Sequence, residues 1–273
     1  MVFIEILKAI LFGMVEGITE WLPISSTGHM ILLNQFVNLN LSAEFWKMFL
    51  VVIQLGAILA VVVLFWNKLF PFTCKGNSFV KPGAIAMWLK IIVACIPAAI
   101  VGIWDDQIDA LFYNWQTVAT ALVVFGIFFL LLETRNKSRT PTVNCIDTIT
   151  YKDALLIGLF QVIAAVFPGT SRSGATILGG LLIGLSRTTA TEFTFFLAVP
   201  VMFGASLVKL LKFGLVFTGT ELAVLLVGMV TAFIVSIIAI KFLLGYIKKH
   251  DFKAFGWYRI ILGAIVFAHF LLA

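Results

Sequence analysis

Charged residues are scarce in this sequence. Asp, Glu, Lys and Arg make up only 12% of its 273 residues, whereas hydrophobic residues make up 62%. A soluble domain ordinarily has about twice that charged fraction, so the scarcity excludes an ordinary water-soluble globule. The mean hydropathy of +1.11 points the same way. We therefore expect a chain that folds in lipid.

Cysteine is also rare, and its pattern excludes two kinds of site. Cys74, Cys95 and Cys145 form no CxxC pair and no Cys/His cluster with metal-ligand spacing, so we expect free thiols. A cleavable leader is missing too. The apolar N-terminus carries Glu5 and Lys8, and no short apolar region is followed by a small-residue cleavage site, so we expect it to belong to the mature protein.

Long apolar stretches are what the sequence does contain. A helix needs about 20 apolar residues to cross the hydrocarbon of a bilayer. Six stretches satisfy or approach this length and predict spanning helices. They are residues 48–66, 84–104, 118–132, 193–211, 222–244 and 255–273.

Two further apolar stretches, 4–37 and 154–185, are each interrupted by a polar segment that contains Pro and Gly. We call the interruptions, residues 16–29 and 168–176, the first and second knots. Each flank has only about 12 to 16 residues, or roughly 18 to 24 Å of helix, which is short of a crossing. Irregular backbone at membrane depth must be buried in protein or border a wet cavity. We therefore predict two re-entrant helical hairpins whose knots meet inside the protein.

An internal repeat relates the two hairpins. Sliding the sequence by 145 residues superimposes Gly13 on Gly158, Glu16 on Gln161, Pro23 on Pro168 and Ser26 on Ser171. We predict a single all-α polytopic membrane domain over residues 1–273. Its repeats, about 1–132 and 150–273, each contain one hairpin and three transmembrane helices, and a basic cytoplasmic loop, 133–149, joins them. Because three crossings change side, the second repeat is expected to be inverted, with the binding site near the midplane.

The net charge is +6, and in a membrane protein the positions of the positive charges along the chain indicate its orientation. We expect no nucleic-acid partner. Under the inverted topology one face carries most of the cations, whereas the other carries the acidic loop 105–109. The cations of the first face are Lys68, Lys75, Lys81, Arg135, Lys137, Arg139, Lys152, Arg187, Lys248, Lys249 and Lys253. The positive-inside rule places this face in the cytoplasm and both termini, with the opening of the first hairpin, in the periplasm.

The first knot contains two carboxylates. Glu16 and Glu20 are four residues apart, so they lie on one helix face and can act on the same ligand. A carboxylate inside a membrane is costly and therefore indicates a functional site. Alone, the pair could bind a divalent cation, carry protons or serve as a general base.

Three hydroxyls and a histidine follow the carboxylates, namely Ser25, Ser26, Thr27 and His29. Capping of the returning helix explains one hydroxyl but not three. His29 lies three residues after Ser26, which is close enough to exchange a proton with a ligand at that helix start.

The second knot holds Arg172 between Ser171 and Ser173, with Thr176 one turn further on. The planar fork of arginine and the free amides of a helix N-terminus both suit phosphate oxygens. Arg172 could instead only neutralise one of the glutamates. Taken together, the two knots supply a candidate for each requirement of phosphoryl transfer: a nucleophile, an acid/base pair, charge stabilisation and a cation site.

At residues 16–29 and 168–176 the sequence resembles the undecaprenyl-diphosphate phosphatase family, also called bacitracin-resistance proteins. That family is marked by a glutamate-rich motif continuing into PxSSTGH and by PGxSRSxxT, and the similarity extends over essentially the whole chain. The matching site residues are Glu16, Glu20, Ser25, Ser26, Thr27, His29, Ser171, Arg172, Ser173 and Thr176. Of these, the resemblance implies substrate binding by Ser25, Thr27, Ser171, Ser173 and Thr176.

The resemblance implies hydrolysis of undecaprenyl diphosphate to undecaprenyl phosphate and inorganic phosphate in the bacterial inner (plasma) membrane. It further implies recycling of the lipid carrier for peptidoglycan and other envelope polymers, bacitracin resistance, and dependence on a divalent cation. The expected partners are the polyprenyl diphosphate and membrane lipids. The sequence leaves the oligomeric state open, a homodimer included.

Among the possible roles we favour Ser26 as nucleophile and Glu20 with His29 as the acid/base pair. Arg172 is the expected phosphate clamp. Glu16 and Glu20 are the expected ligands of the cation, Mg²⁺ or Ca²⁺. A metal-bound water that attacks directly would use the same residues, and the sequence leaves that alternative open.

Two functions of other classes compete with this prediction. A transporter or lipid flippase would also have inverted repeats with broken helices at the midplane, but anion transport needs no SSTGH cluster. A combined phosphatase and flippase stays open. A membrane scaffold would leave the charges of both knots unexplained.

Overall fold

The computed structural model describes residues 2–73 and 79–272, and nearly all of these residues are helical. Cys74 and Lys75 lie outside the described residues. The α-helices are α1 Val2–Thr19, α2 Ser26–Phe36, α3 Ala43–Val52, α4 Gln54–Leu64, α5 Trp66–Leu69, α6 Pro82–Val101, α7 Asp105–Phe112, α8 Trp115–Asn136, α9 Tyr151–Val166, α10 Arg172–Leu182, α11 Arg187–Phe213, α12 Gly219–Ile247 and α13 Lys253–Leu272. Cys95 and Cys145 are free thiols, as expected.

Six helices are long and apolar enough to cross a membrane, which confirms the predicted number within the described ranges. They are Ala43–Leu64, Pro82–Phe112, Trp115–Asn136, Arg187–Phe213, Gly219–Ile247 and Lys253–Leu272. The chain is therefore a multi-pass membrane protein. The helix Trp115–Asn136 extends four residues into the segment 133–149 that was predicted to be loop.

The first long helix is broken where α3 meets α4. The break at Ile53 alters the regular backbone hydrogen bonding there. The carbonyl of Val51 accepts a hydrogen bond from Ser206 Oγ on α11 at 3.1 Å. The same carbonyl also accepts from the backbone N–H of Ile53, so the serine adds a second bond that ties α3 to α11 at the break.

Two pairs of shorter helices stand where the sequence showed interrupted apolar stretches. Residues 20–25 connect α1 to α2, and residues 167–171 connect α9 to α10. Most residues of these connections are buried, and Trp21 and Thr170 are fully so. Irregular backbone is therefore enclosed by protein, as its place in a membrane protein requires.

The first helix of each pair packs closely on a long helix from the other half of the sequence. α1 lies along α12, and α9 lies along α6. A Cβ at Gly13 would lie 2.6 Å from the carbonyl oxygen of Gly228, and one at Gly158 would collide with the carbonyl of Ala94. Only glycine allows these backbones to approach so closely. This interleaved packing brings the two connections together in the interior.

Candidate functional site

Glu20, Ser26 and Arg172 form the centre of the candidate site. Ser26 Oγ donates to Glu20 Oε2 at 2.7 Å, and Arg172 Nη2 donates to Glu20 Oε1 at 2.8 Å. Glu20 and Ser26 are buried and Arg172 is nearly so, since only 13% of its side chain is exposed. Each oxygen of one carboxylate is therefore bound, one by a hydroxyl and one by a guanidinium.

Glu16 lies one turn before Glu20, and the backbone bond from Glu20 N to Glu16 O, 3.0 Å, preserves the helical spacing that the sequence predicted. Glu16 is only 1% exposed, and its Oε1 has no hydrogen-bond partner among the residues that the structure describes. A buried carboxylate oxygen without a partner is energetically unfavourable in a closed protein. It is available to a cation or to a water molecule.

Serines with unusual backbone conformations start both returning helices. Ser25 has φ 72° and Ser171 has φ 70°, and they are the only residues other than glycine with positive φ in the described part of the chain. Each caps its helix, Ser25 Oγ accepting from Gly28 N at 3.3 Å and Ser171 Oγ accepting from Gly174 N at 3.2 Å. Such conformations cost of order 1–3 kcal/mol each and occur most often at functional sites.

The two caps revise the residue equivalence within the repeat. The shift of 145 paired Ser26 with Ser171, but the cap geometry pairs Ser25 with Ser171 and therefore Ser26 with Arg172. The second connection has one more residue between its proline and its cap than the first. The hydroxyl and the guanidinium that both bind Glu20 thus come from matching positions at the starts of α2 and α10.

Hydroxyls on α10 tie the second connection to the first. Ser173 Oγ donates to the carbonyl oxygen of Glu20 at 3.1 Å. Thr176 Oγ1 donates to the carbonyl of Arg172 at 2.9 Å and accepts from Thr194 Oγ1 at the same distance. These hydroxyls hold backbone in this structure, so they position the start of α10.

His29 is close to the centre but does not contact Ser26. Its Nδ1 lies 2.7 Å from the carbonyl oxygen of Ser25, and its Nε2 lies 2.6 Å from the hydroxyl of Tyr258. Thr27, the remaining predicted residue, is half-buried, and its hydroxyl has no hydrogen-bond partner among the described residues. Glu20, rather than His29, is therefore the group placed to accept a proton from Ser26.

Arg259 is a site residue that the sequence analysis missed. It is fully buried, and its guanidinium donates to the carbonyls of Pro23 at 3.2 Å, Gly169 at 3.0 Å and Thr170 at 2.6 Å. One side chain of α13 thus holds both connections. The available signal was a lone arginine inside an otherwise apolar span, which by itself indicates a buried partner.

Side-chain polar atoms that are buried without a partner are concentrated around the two connections. Within residues 2–73 and 79–272 they belong to Glu16, Trp21, Gln161, Thr170 and Arg259. Each of these residues lies on α1, on α9, in a connection or in contact with one. Native proteins leave few such groups, so their concentration indicates a place for water, an ion or a polar ligand.

No group of three or more Asp, Glu, His or Cys with metal-binding geometry occurs in the described ranges. The candidate donors for a cation are the oxygens of Glu16 and Glu20, with hydroxyls beside them. Hard cations such as Mg²⁺ accept few carboxylates when substrate phosphates and water complete their coordination. The unpartnered oxygen of Glu16 fits such an ion.

The arrangement is suited to chemistry on a phosphorylated ligand. It combines a hydroxyl bound to a carboxylate, the starts of two helices and an arginine, all enclosed by apolar protein. Helix N-termini and arginine stabilise the negative charge of phosphate oxygens, and their effect is stronger where water is excluded.

Replacing Arg259 by methionine should destabilise the protein. The change leaves three buried carbonyls without a donor, so we expect a loss on the order of 3 kcal/mol in the free energy of unfolding. Thermal unfolding of the detergent-solubilised protein would measure it. Lys241→Met, which removes an exposed cation from α12, is the control and should change the midpoint little. Equal midpoints for the two variants would show that Arg259 does not hold the connections.

Several known proteins are similar to this chain over nearly its whole length. The family model of the bacitracin resistance protein BacA matches residues 9–265. A protein of Desulfitobacterium hafniense named undecaprenyl-diphosphatase is 67% identical over 271 residues, covering 99% of this chain and 98% of that protein. One of Clostridium acetobutylicum, named undecaprenyl-diphosphatase 1, is 66% identical and covers 98% of each chain.

A third relative, from Enterococcus faecalis and also named undecaprenyl-diphosphatase, is 60% identical over 97% of this chain and 96% of its own length. These matches include both connections and every helix that contributes to the site. The chain therefore belongs to the bacitracin resistance protein BacA family.

Proposed function

We infer that this chain is an undecaprenyl-diphosphatase, which hydrolyses undecaprenyl diphosphate to undecaprenyl phosphate and inorganic phosphate. The observation that carries the inference is Glu20, which binds the hydroxyl of Ser26 with one oxygen and the guanidinium of Arg172 with the other. Relatives of that name match nearly the whole chain. The activity returns the lipid carrier to peptidoglycan synthesis and confers resistance to bacitracin.

The first step is attack by Ser26 on the terminal phosphorus of the substrate. Glu20 Oε2, 2.7 Å from Ser26 Oγ, accepts the hydroxyl proton as the new oxygen–phosphorus bond forms. The bond to the bridging oxygen breaks, and undecaprenyl phosphate leaves. Water then hydrolyses the phosphoserine and releases inorganic phosphate. Direct attack by a water molecule held by Glu16 and Glu20 is the competing mechanism.

Arg172 is the phosphate clamp in this mechanism. In the structure its Nη2 is occupied by Glu20 and its Nη1 by the carbonyl of Thr194 at 3.2 Å. A diphosphate offers stronger acceptors in the same planar geometry. Substrate binding therefore exchanges the ion pair with Glu20 for phosphate oxygens, and that exchange frees the carboxylate to act as a base.

Glu16 and Glu20 would hold a divalent cation, Mg²⁺ or Ca²⁺. Glu16 has the buried oxygen without a partner, whereas both oxygens of Glu20 are already bound, so Glu16 is the principal ligand. When bound, the ion supplies positive charge that offsets the charge of the diphosphate. Ser25, Thr27, Ser171, Ser173 and Thr176 line or position the substrate site around it.

His29 completes the acid/base set with Glu20, although it does not touch Ser26. Its contacts with the carbonyl of Ser25 and the hydroxyl of Tyr258 fix the ring beside the start of α2. Both ring nitrogens are occupied, so proton exchange with a phosphate oxygen at that helix start requires the substrate to replace one of these partners.

The finer membrane topology is part of the proposal. The α1–α2 and α9–α10 pairs are re-entrant hairpins, and the two halves of the chain are inverted repeats. Support comes from the matching caps at Ser25 and Ser171 and from the reciprocal packing of α1 on α12 and α9 on α6. Transporters share such repeats, but an activated serine has no role in transport, so hydrolysis is favoured over flipping.

The distribution of charge orients the protein, with both termini and the opening of the catalytic site facing the periplasm. The basic loops after α8 and α12 then face the cytoplasm, in agreement with the positive-inside rule.

The principal test is phosphate release from a polyprenyl diphosphate by purified protein, with and without a chelator. Ser26→Ala should abolish turnover while substrate still binds, because the lost interaction belongs to the transition state. Ser25→Ala is the control. It removes a cap and should cost about 1 kcal/mol, or a few-fold in rate. A phosphoserine at Ser26 in acid-quenched protein would establish the covalent step, whereas turnover retained in Ser26→Ala would favour water as the nucleophile.

Arg172→Lys should leave the fold intact but remove most activity. Lysine keeps the charge and loses the fork that holds two phosphate oxygens, and we expect a loss of about 10²-fold or more in kcat. Thermal unfolding of the variant beside the wild type excludes misfolding. Near-normal turnover would leave Arg172 with only a charge-balancing role.

Labelling with a membrane-impermeant thiol reagent tests the orientation. Cysteines at Asp106 and Lys137 would both be exposed, so their reactivity depends on the side of the membrane. With Cys74, Cys95 and Cys145 replaced, the cysteine at 106 should react from outside the cell and that at 137 should not. The reverse pattern would place the catalytic opening in the cytoplasm.

A further inference from the structure

A basic cavity lies at the end of the molecule where α8 and α10 finish and α11 begins. Its volume is about 970 Å³. Its walls come from the segment after α8, the C-terminal end of α10, the start of α11 and the end of α12. The reacting groups Ser26, Glu20 and Arg172 are not among the residues that line it.

Four cations and one anion line this cavity. The anion, Glu133, is fully used: Arg187 Nε donates to it at 2.9 Å and Nη2 at 2.5 Å, and the backbone of Phe252 donates at 3.1 Å. Arg187 and Glu133 therefore neutralise each other. The remaining cations are left without an opposite charge at short range.

Those cations are Lys137, Arg139 and Lys248. Their side chains have no hydrogen-bond or ion-pair partner among the described residues, and all three are exposed. The hydroxyls of Ser138 and Thr140 line the same cavity and are also unpartnered within that part of the chain. Three positive charges and free donors thus converge on one space.

The loop that carries two of these cations is held in place. Thr142 N and Val143 N donate to the carbonyl of Gly184 at 2.9 and 3.2 Å, and Ser186 N donates to the carbonyl of Val143 at 2.9 Å. The positive-inside rule requires only that a cytoplasmic loop contain basic residues, and it sets no position for them within the loop. Backbone bonds that fix the loop against the α10–α11 connection instead preorganise its cations around the cavity.

We propose that this cavity is a binding site for a phosphate-bearing anion, separate from the catalytic site. Lysine and arginine with adjacent hydroxyls are typical phosphate ligands. The backbone amides in the first turn of the 27-residue α11 also favour binding of an anion. Two sources present this chemistry at a membrane surface: the headgroup of an anionic lipid and free phosphate.

The test uses the full-length protein and two matched double variants. Arg139→Gln with Lys248→Gln removes two cations that line the cavity. Lys152→Gln with Lys249→Gln removes two exposed cations of the same region that do not line it. The two variants have the same net charge, so a general attraction for anions affects both equally.

Two probes separate the sources. For the lipid headgroup, native mass spectrometry of protein released from nanodiscs compares the number of bound phosphatidylglycerol molecules with the number of bound phosphatidylcholine molecules. For free phosphate, the rise in unfolding temperature on adding inorganic phosphate in neutral detergent measures binding. The second probe is read in an Arg172→Gln background, so that phosphate at the catalytic site does not contribute.

We expect the cavity variant to lose at least about tenfold in affinity for one of the probes, because charged hydrogen bonds are removed. The control variant should stay within about twofold. Equal losses in both variants, or no binding of either probe to the protein with its cavity intact, would overturn the proposal. Polyprenyl diphosphate hydrolysis by the cavity variant is measured in parallel, so that a failure of the catalytic proposal is recognised separately.

Discussion

The ion pair between Glu20 and Arg172 is the constraint on which the rest of the site depends. The two residues are 152 positions apart, yet their side chains meet at 2.8 Å in a nearly buried environment. Either charge alone would be strongly unfavourable in this buried environment, so the two knots stabilise each other when their charges meet. In this structure the second oxygen of the paired Glu20 is directed at Ser26.

Bringing two irregular connections into the interior has a cost that the surrounding structure must offset. Two serines adopt positive φ, and several buried polar atoms have no partner. Arg259 offsets part of this by binding three carbonyls, and the glycines of α1 and α9 allow close packing against neighbouring helices. Strain and unpaired groups concentrated at one place are expected where a ligand, rather than the protein, completes the interactions.

Helix α10 connects the two polar regions of the molecule. Its first residue, Arg172, belongs to the candidate site, and its last residues, Leu181 and Leu182, line the basic cavity. The helix has 11 residues, so about 16 Å separates its ends. The groups of the candidate site are enclosed by apolar protein, whereas the cavity is lined by exposed cations. This difference in environment is consistent with the two proposals, a reacting diphosphate at one end and a bound anion at the other.

Local features of the sequence were sufficient for the six long helices, the two interrupted stretches and the spacing of Glu16 and Glu20. Hydropathy and helical periodicity act over about 20 residues, and they can be recognised without knowing which helices become neighbours. The expectation that one of the three hydroxyls after Glu20 caps the returning helix was also local, and Ser25 is that cap. The residue types of both knots were enough to indicate phosphate chemistry.

Only the tertiary structure decided which groups meet. It paired Ser26 with Glu20 rather than with His29, placed Tyr258 on His29, and brought Arg259 from the last helix onto both connections. It also broke the first long helix at Ile53, beside which Ser206 of α11 donates to the carbonyl of Val51. Apart from the bond between Ser26 and Glu20, these contacts join residues far apart in the chain. They depend on how helices of similar hydropathy pack, which composition and periodicity do not specify.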